Sequence, residues 1–281
     1  MSSSPVATPA ATRSGLGDLL RHWRAVRGRS QLDLAGDAGT TPRYVSFVET
    51  GRAQPSRQMV LRLARALDVP LRERNDLLVA AGFAPMYSLE PLDSPLMARV
   101  DEALTGMLAG HEPFPAVLMD RGWNLLRAND GAAQLFGRLF APEPVPAAAN
   151  VLRLVIEPGP VRRSLRNWAS VAPALLERAR REAVGGVLDH ATAGLVATLR
   201  DRPDVAELLT APDTSTPTVP VVDLRFAVAG TELAFFSVIS TIGTAVGVTA
   251  QELRIEAFFP ADDATRARWP GIAGDRAGTP T

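Results

Sequence analysis

Short helices cut off by glycines constrain this chain more than any other feature. Between residues 16 and 81, apolar side chains recur at helical spacing in five brief runs, each closed by a turn signal. The first, about Leu16 to Val26, aligns Leu16, Leu19, Leu20, Trp23 and Val26, and Gly28 ends it. Ser30 can cap a second helix whose Leu32, Leu34, Ala35 and Ala38 are expected to pack inward. Gly39 suits the left-handed backbone that closes a helix. Thr40 or Thr41 then caps a third helix, Pro42 to Glu49, with Pro42 in its first turn and Val45 and Val48 to bury. Arg43, Tyr44, Ser46 and Phe47 are left for its outer face, and Gly51 stops it. Gln58–Leu67 and about Leu71–Ala81 complete the set. Five helices this short cannot form a coiled coil or a membrane bundle; they have to pack around one small core.

Two short helices around a tight turn, the second opening on polar caps, form the helix-turn-helix pattern. The run SQLDLAGDAGTTPRYVSFVETGRAQPS closely resembles the Xre/Cro-like DNA-binding domains. Gln31 matches the Gln that opens their second helix. Glu49, Gly51 and Arg52, followed by Pro55 and Ser56, match the turn after their recognition helix. The resemblance places Arg43 where base edges are met, and an arginine there can grip guanine with two parallel hydrogen bonds. Tyr44 and Phe47 are unusual, because family members often carry polar residues at these positions. They can touch thymine methyls or the sugar-phosphate edge, or Phe47 can pack inside the bundle; both readings stay open. Gln31, Thr41, Ser46, Arg52, Ser56 and Arg57 are expected on the phosphate side of the contact, and Pro42 is counted with the DNA-binding residues.

Charge supports a division. Residues 1–80 hold 12 Arg against 7 acids, while residues 81–281 hold 18 Arg against 23 acids, so a basic head precedes an acidic remainder although the whole is neutral. All thirty cations are arginine, so every positive contact is a planar fork. Cysteine is absent, which excludes disulfides, thiolate metal sites and thiol catalysis. No apolar run reaches bilayer length. Residues 1–15 read as a disordered leader without a secretion signal, and the cytoplasm is the expected compartment.

Residues 82–95, rich in Pro and Gly, read as a hinge. A connector helix, about Leu96 to Ala109, is expected to align Leu96, Val100, Leu104, Met107 and Leu108. Ala116–Met119 reads as a strand, Asp120–Gly122 as a turn and Trp123–Arg127 as a second strand. Asn129 or Asp130 then caps a helix bearing Ala132, Leu135 and Phe136. Asn150 caps Val151–Ile156. One long helix or a pair covers about 161–183, and another covers 187–200. After a Pro/Thr loop at 210–220, a hairpin spans 219–241, and Leu253–Phe259 is a last strand whose Arg254 and Glu256 alternate against apolar neighbours. Residues 260–281 read as a flexible polar tail.

The opening of this second part resembles PAS-type sensor domains. The stretches RYVSFVETGRAQPSR, VPLRERNDLLVAAGFAP, HEPFPAVLMDRGWNLLRAN and NVLRLVIEP together resemble the MmyB-like transcription regulators. The fold class expected is therefore mixed: an all-α, five-helix helix-turn-helix domain over 16–81, then an α+β PAS-like sensor domain over 96–259. The protein is expected to act as a homodimer on double-stranded operator DNA; the short apolar runs argue against a membrane, and with no nucleophile elbow and no phosphate-binding Gly-rich loop no enzymatic activity is expected. The resemblance implies a sensor for a small apolar ligand, fatty-acyl compounds leading. The ligand is expected against Trp123, Leu125, Phe136, Leu165, Trp168 and Phe235, with Arg163 or Arg166 for a carboxylate. A rival expectation is that the second domain only dimerises or binds a protein. His22, His111 and His190 show no metal spacing, and no metal or cofactor is expected.

Overall fold

The computed structural model describes residues 15–185, 190–210, 221–228 and 230–274. The expected leader, most of the Pro/Thr loop, the first residues of the 187–200 helix and the end of the expected tail lie outside the described residues. The chain divides into two compact units, one ending at Ser88 and the other beginning at Leu89.

In the first unit, five helices run α1 (Leu16–Val26), α2 (Gln31–Asp37), α3 (Pro42–Glu49), α4 (Arg57–Ala66) and α5 (Leu71–Ala80). Local chemistry sets their ends. Ser30 and Asp33 form a reciprocal capping box at α2, and the hydroxyls of Thr41 and Ser56 accept from the backbone amides of Tyr44 and Met59. Gly28, Gly39 and Gly51 all take positive φ after their helices. Leu20, Trp23, Leu34, Val45, Val48, Leu63 and Leu77 form the buried interior. Leu32 is a correction: it is 68% exposed. Helix α2 starts at Gln31, which turns its second residue away from the face carrying Leu34, Ala35 and Ala38. Gly17 marks a close approach, because a Cβ there would lie 2.2 Å from the Glu49 carbonyl oxygen.

Part of the expected hinge is tied down. Asn75, buried on α5, donates to the Tyr87 carbonyl (2.7 Å) and accepts from the amides of Met86 and Tyr87 (2.9 Å each). The guanidinium of Arg74 lies over the Tyr87 ring, and that of Arg57 over Phe83.

The second unit is an α+β domain. A 3-10 turn at Pro95–Met97 leads into α6 (Ala98–Gly110). Leu96 and Met107 are exposed, so the connector helix offers the sheet a narrower stripe than expected, formed by Met97, Leu104 and Leu108. Strands β1 (Ala116–Met119), β2 (Leu125–Ala128), β3 (Leu224–Val228), β4 (Thr231–Thr241) and β5 (Arg254–Pro260) form one antiparallel sheet in the order β2-β1-β5-β4-β3. One face, with Ala116, Leu118, Leu253 and Ile255, meets α6. The other face carries the larger core. It packs against α7 (Asp130–Phe140), α8 (Val151–Ile156), α9 (Pro160–Ser164), α10 (Trp168–Gly185), α11 (His190–Arg200) and α12 (Pro203–Thr210).

Asn129 joins sheet to helix. It accepts from the amides of Ala116 and Ala132 and donates to the Phe114 carbonyl, each within 2.9 Å. Three expectations need correction. Trp123 is not in a strand: it precedes β2 with φ +67. Of the two readings for 161–183, one long helix or a pair, the pair forms: the chain breaks after Ser164, because Leu165 bridges to Phe226 while Asn167 bonds the backbone of Asp223 and Arg225. A short helix α13 (Val248–Glu252), not anticipated, precedes β5. Within the expected tail, α14 (Asp263–Gly274) buries Trp269 completely, edge-on to Phe235 and donating to the Pro113 carbonyl (2.6 Å).

Candidate functional site

In the first unit, helix α3 carries Pro42, Arg43, Tyr44, Ser46 and Phe47 of the residues expected to meet DNA. Arg43 is exposed, and its guanidinium carbon lies 5.2 Å from the Phe47 ring centroid, one helical turn on. Tyr44, Ser46 and Phe47 are half-buried, so Phe47 is neither fully inside the bundle nor fully offered outward. Pro42 is exposed in the first turn; Arg52, Ser56 and Arg57 are exposed around the loop that follows α3. The Thr41 and Ser56 hydroxyls are engaged as caps.

Gln31 has an internal partner. Its Nε2 donates to Glu49 Oε2 (2.7 Å), and Arg24 donates to both oxygens of the same carboxylate, at 2.9 and 3.3 Å. Glu49 is buried. Its hydrogen bonds raise Arg24 above the ordinary arginine value, against the opposing effect of burial. This triad fixes the C-terminal end of α3 to α1 and α2. Sequence reasoning placed Glu49 only in a turn motif; the signal available was an acid at an otherwise inward helical position.

In the second unit, Trp123, Phe235 and Leu165 are buried in the larger core, with Leu125, Phe136 and Trp168 packed against it. The six apolar residues expected around a ligand thus share one layer between sheet and helices. Arg163 and Arg166 do not join them, for both are exposed. Breaking the helix after Ser164 puts Arg162 over the Trp168 ring at 3.6 Å, where it also donates to Asp204. Trp168 itself donates to the Val155 carbonyl (2.9 Å).

The cations inside the layer are Arg178 and Arg254. Their guanidinium carbons lie 4.5 and 4.3 Å from the Trp123 ring centroid. Each nitrogen of Arg178 has a partner: Nη1 and Nη2 meet the two oxygens of Glu256 at 3.2 and 3.3 Å, and Nε meets Glu182 at 3.0 Å. Arg254 Nη1 donates to the other Glu182 oxygen. Its Nε and Nη2, and the Trp123 Nε1, are buried without a hydrogen-bond partner among the described residues. Burial draws Arg254 below the ordinary arginine value, with the like charge of Arg178 adding and Glu182 and Glu256 opposing. Burial also counts against Arg178, but Glu256 and Glu182 outweigh it and raise the group. Sequence reading noted only that Arg254 and Glu256 alternate along a strand. The sheet is covered on both faces, so this polar row is buried too.

His111 lies against Phe259 and contacts the Phe258 carbonyl through Nε2 (2.8 Å). Among the described residues, no group of three His, Asp or Glu side chains could hold a metal ion, and no helix is long and apolar enough to cross a membrane.

A helix-turn-helix unit followed by an α+β unit with charged groups inside its core defines a transcription regulator built from a DNA-binding and a ligand-binding domain. The family profile described as the MmyB-like transcription regulator ligand binding domain matches residues 100–269, and a helix-turn-helix domain profile matches residues 15–77. The chain belongs to the MmyB-like transcription regulators. It is 34% identical over 62 residues to the transcriptional regulator ClgR of Mycobacterium tuberculosis, covering 22% of this chain and 55% of that one. It is also 31% identical over 70 residues to multiprotein-bridging factor 1 of Schizosaccharomyces pombe, covering 25% and 47%. The chain spans about half the length of the curated relatives it matches.

Proposed function

We propose that the protein is a one-component regulator that binds double-stranded operator DNA as a homodimer and changes its DNA affinity when its second domain takes up a small, largely apolar molecule, fatty-acyl in class. Arg43 reads a base edge, and Arg52 and Arg57 contact phosphates. What supports the ligand reading is the layer that gathers Trp123, Leu125, Phe136, Leu165, Trp168 and Phe235 beside the buried Arg254 and the half-buried Arg178. A core that only held the fold together would gain nothing from charges placed there without full pairing. The ligand regulates only through different affinities for DNA-competent and DNA-incompetent states.

The test begins with native mass spectrometry of the purified protein. Gel-shift titrations on a selected operator follow, at fixed salt, with and without the molecule found or with dodecanoate. The expected result is a bound small molecule and a shift in operator affinity of about 5–150-fold, the usual range of allosteric coupling. Binding of dodecanoate with no change in operator affinity would refute the regulatory coupling. A protein with no bound molecule and no affinity for dodecanoate would place the second domain in dimerisation or protein binding.

A further inference from the structure

We infer that the ligand of the second domain carries a carboxylate, and that this group docks side-on against Arg254 beside the Trp123 indole nitrogen. The inference rests on the ligand-binding reading above and specifies the chemistry of that site. Arginine offers a carboxylate two edges with parallel donors: the pair of terminal nitrogens, and Nε together with the terminal nitrogen on its side. Arg178 gives its terminal pair to Glu256 and its Nε to Glu182. Arg254 gives only Nη1 to Glu182. Its remaining edge, Nε and Nη2, is free among the described residues, on a side chain only 9% exposed. Trp123 Nε1 is a third buried donor without an acceptor, in the ring that lies 4.3 Å from the Arg254 guanidinium. All three vacancies ask for an acceptor, and none for a donor.

Charge points the same way. Glu256 is taken by the paired nitrogens of Arg178, and the carboxylate that accepts from Arg254 is Glu182, which is shared with Arg178 and a third exposed. The four charges balance, but Arg254 is the less closely paired of the two cations, and an arriving anion meets its open edge. The position also allows entry. In the sheet register Arg254 stands opposite Thr241 and Glu256 opposite Ile239, and cross-strand partners share a face. Phe235 and Leu233, further back on that face of β4, are fully buried, whereas Ile239 is 38% exposed and Thr241 is exposed. The helical cover thus ends close to the arginine, with the apolar layer lying behind it. A carboxylate at the cluster with an apolar body in the layer satisfies both parts of the site.

The experiment titrates the full chain, freed of bound molecules, with dodecanoate and with the chain-matched alcohol dodecan-1-ol, by calorimetry. Wild type is expected to bind dodecanoate at least tenfold more tightly than dodecanol. Arg254→Gln should lower dodecanoate affinity at least tenfold and leave dodecanol within twofold. Arg254→Lys should not restore the preference in full, because one ammonium cannot present two parallel donors. Equal affinity of wild type for the acid and the alcohol overturns the carboxylate assignment and leaves an apolar ligand standing. Binding of neither overturns the apolar-ligand reading itself. An unchanged acid-to-alcohol ratio in Arg254→Gln overturns the role of Arg254. Should that variant fail to fold, the wild-type ratio still decides whether a carboxylate is recognised.

Discussion

Replacing Glu49 by alanine should loosen the recognition helix although Glu49 faces away from the outer surface of α3. The buried carboxylate accepts three hydrogen bonds, two from Arg24 and one from Gln31. Each hydrogen bond to a charged group contributes about 1.5–3 kcal/mol when fully shielded. The Arg24 side chain is 22% exposed and rehydrates once freed, which brings the net cost nearer 1 kcal/mol per bond, or about 3 kcal/mol in all. For a unit of this size that lowers the melting temperature by about 12–24 °C. Glu49→Gln keeps the shape and one acceptor oxygen, so its cost should be about half. Calorimetry of the full chain reads the transition. Hydrogen exchange followed by mass spectrometry localises it, with faster exchange expected over Pro42–Glu49. Because the carboxylate is buried, added salt should leave the difference nearly unchanged. A shift under about 3 °C, well below the range expected for such a unit, would refute the reasoning, as would equal costs for Gln and Ala.

Three further outcomes are expected. Arg43→Ala should weaken binding to a selected operator by about 1–3 kcal/mol in gel-shift titration and relax the choice of one base pair, whereas Arg52→Ala should weaken specific and non-specific binding alike; wild-type behaviour of Arg43→Ala would exclude base reading by that residue. Trp269→Ala should cost the second unit about 3–5 kcal/mol in chemical denaturation, the cost of emptying a fully buried aromatic site; a loss below 1 kcal/mol would mean that α14 is not part of the core. Asp262 accepts from the Thr265 amide (2.7 Å), and this hydrogen bond chiefly holds its carboxyl below the ordinary aspartate value. Its folded pKa is depressed, so its contribution is present above the unfolded value and is lost as pH falls through the folded one. Asp262→Asn should remove that part of the acid-induced loosening of α14, measured by pH-dependent exchange of the 263–274 amides.

Much of the head could be read from sequence because its signals are local. Ser30, Thr41 and Ser56 satisfy amides three residues ahead, Gly28, Gly39 and Gly51 accept the backbone that ends a helix, and the spacing of Leu20, Trp23, Val45 and Val48 names the inner face. The positions of β1, the β3–β4 hairpin and the Asn129 and Asn150 caps were legible for the same reason. Tertiary structure decided the rest. Sequence left one helix or a pair open over 161–183, and the break at Leu165–Asn167 is settled because β3 offers backbone partners that lie far along the chain. Arg254 and Glu256 alternate with apolar neighbours along β5, and the alternation does not show that helices cover their face, where α10 brings Arg178 and Glu182 to meet them. Trp269 looked like part of a polar tail until Phe235 and the Pro113 carbonyl supplied its pocket. Capping and periodicity depend on residues three or four positions away, which the sequence displays directly. The burial of a charge or a lone aromatic depends on which distant surface arrives to cover it, and only the folded chain determines that.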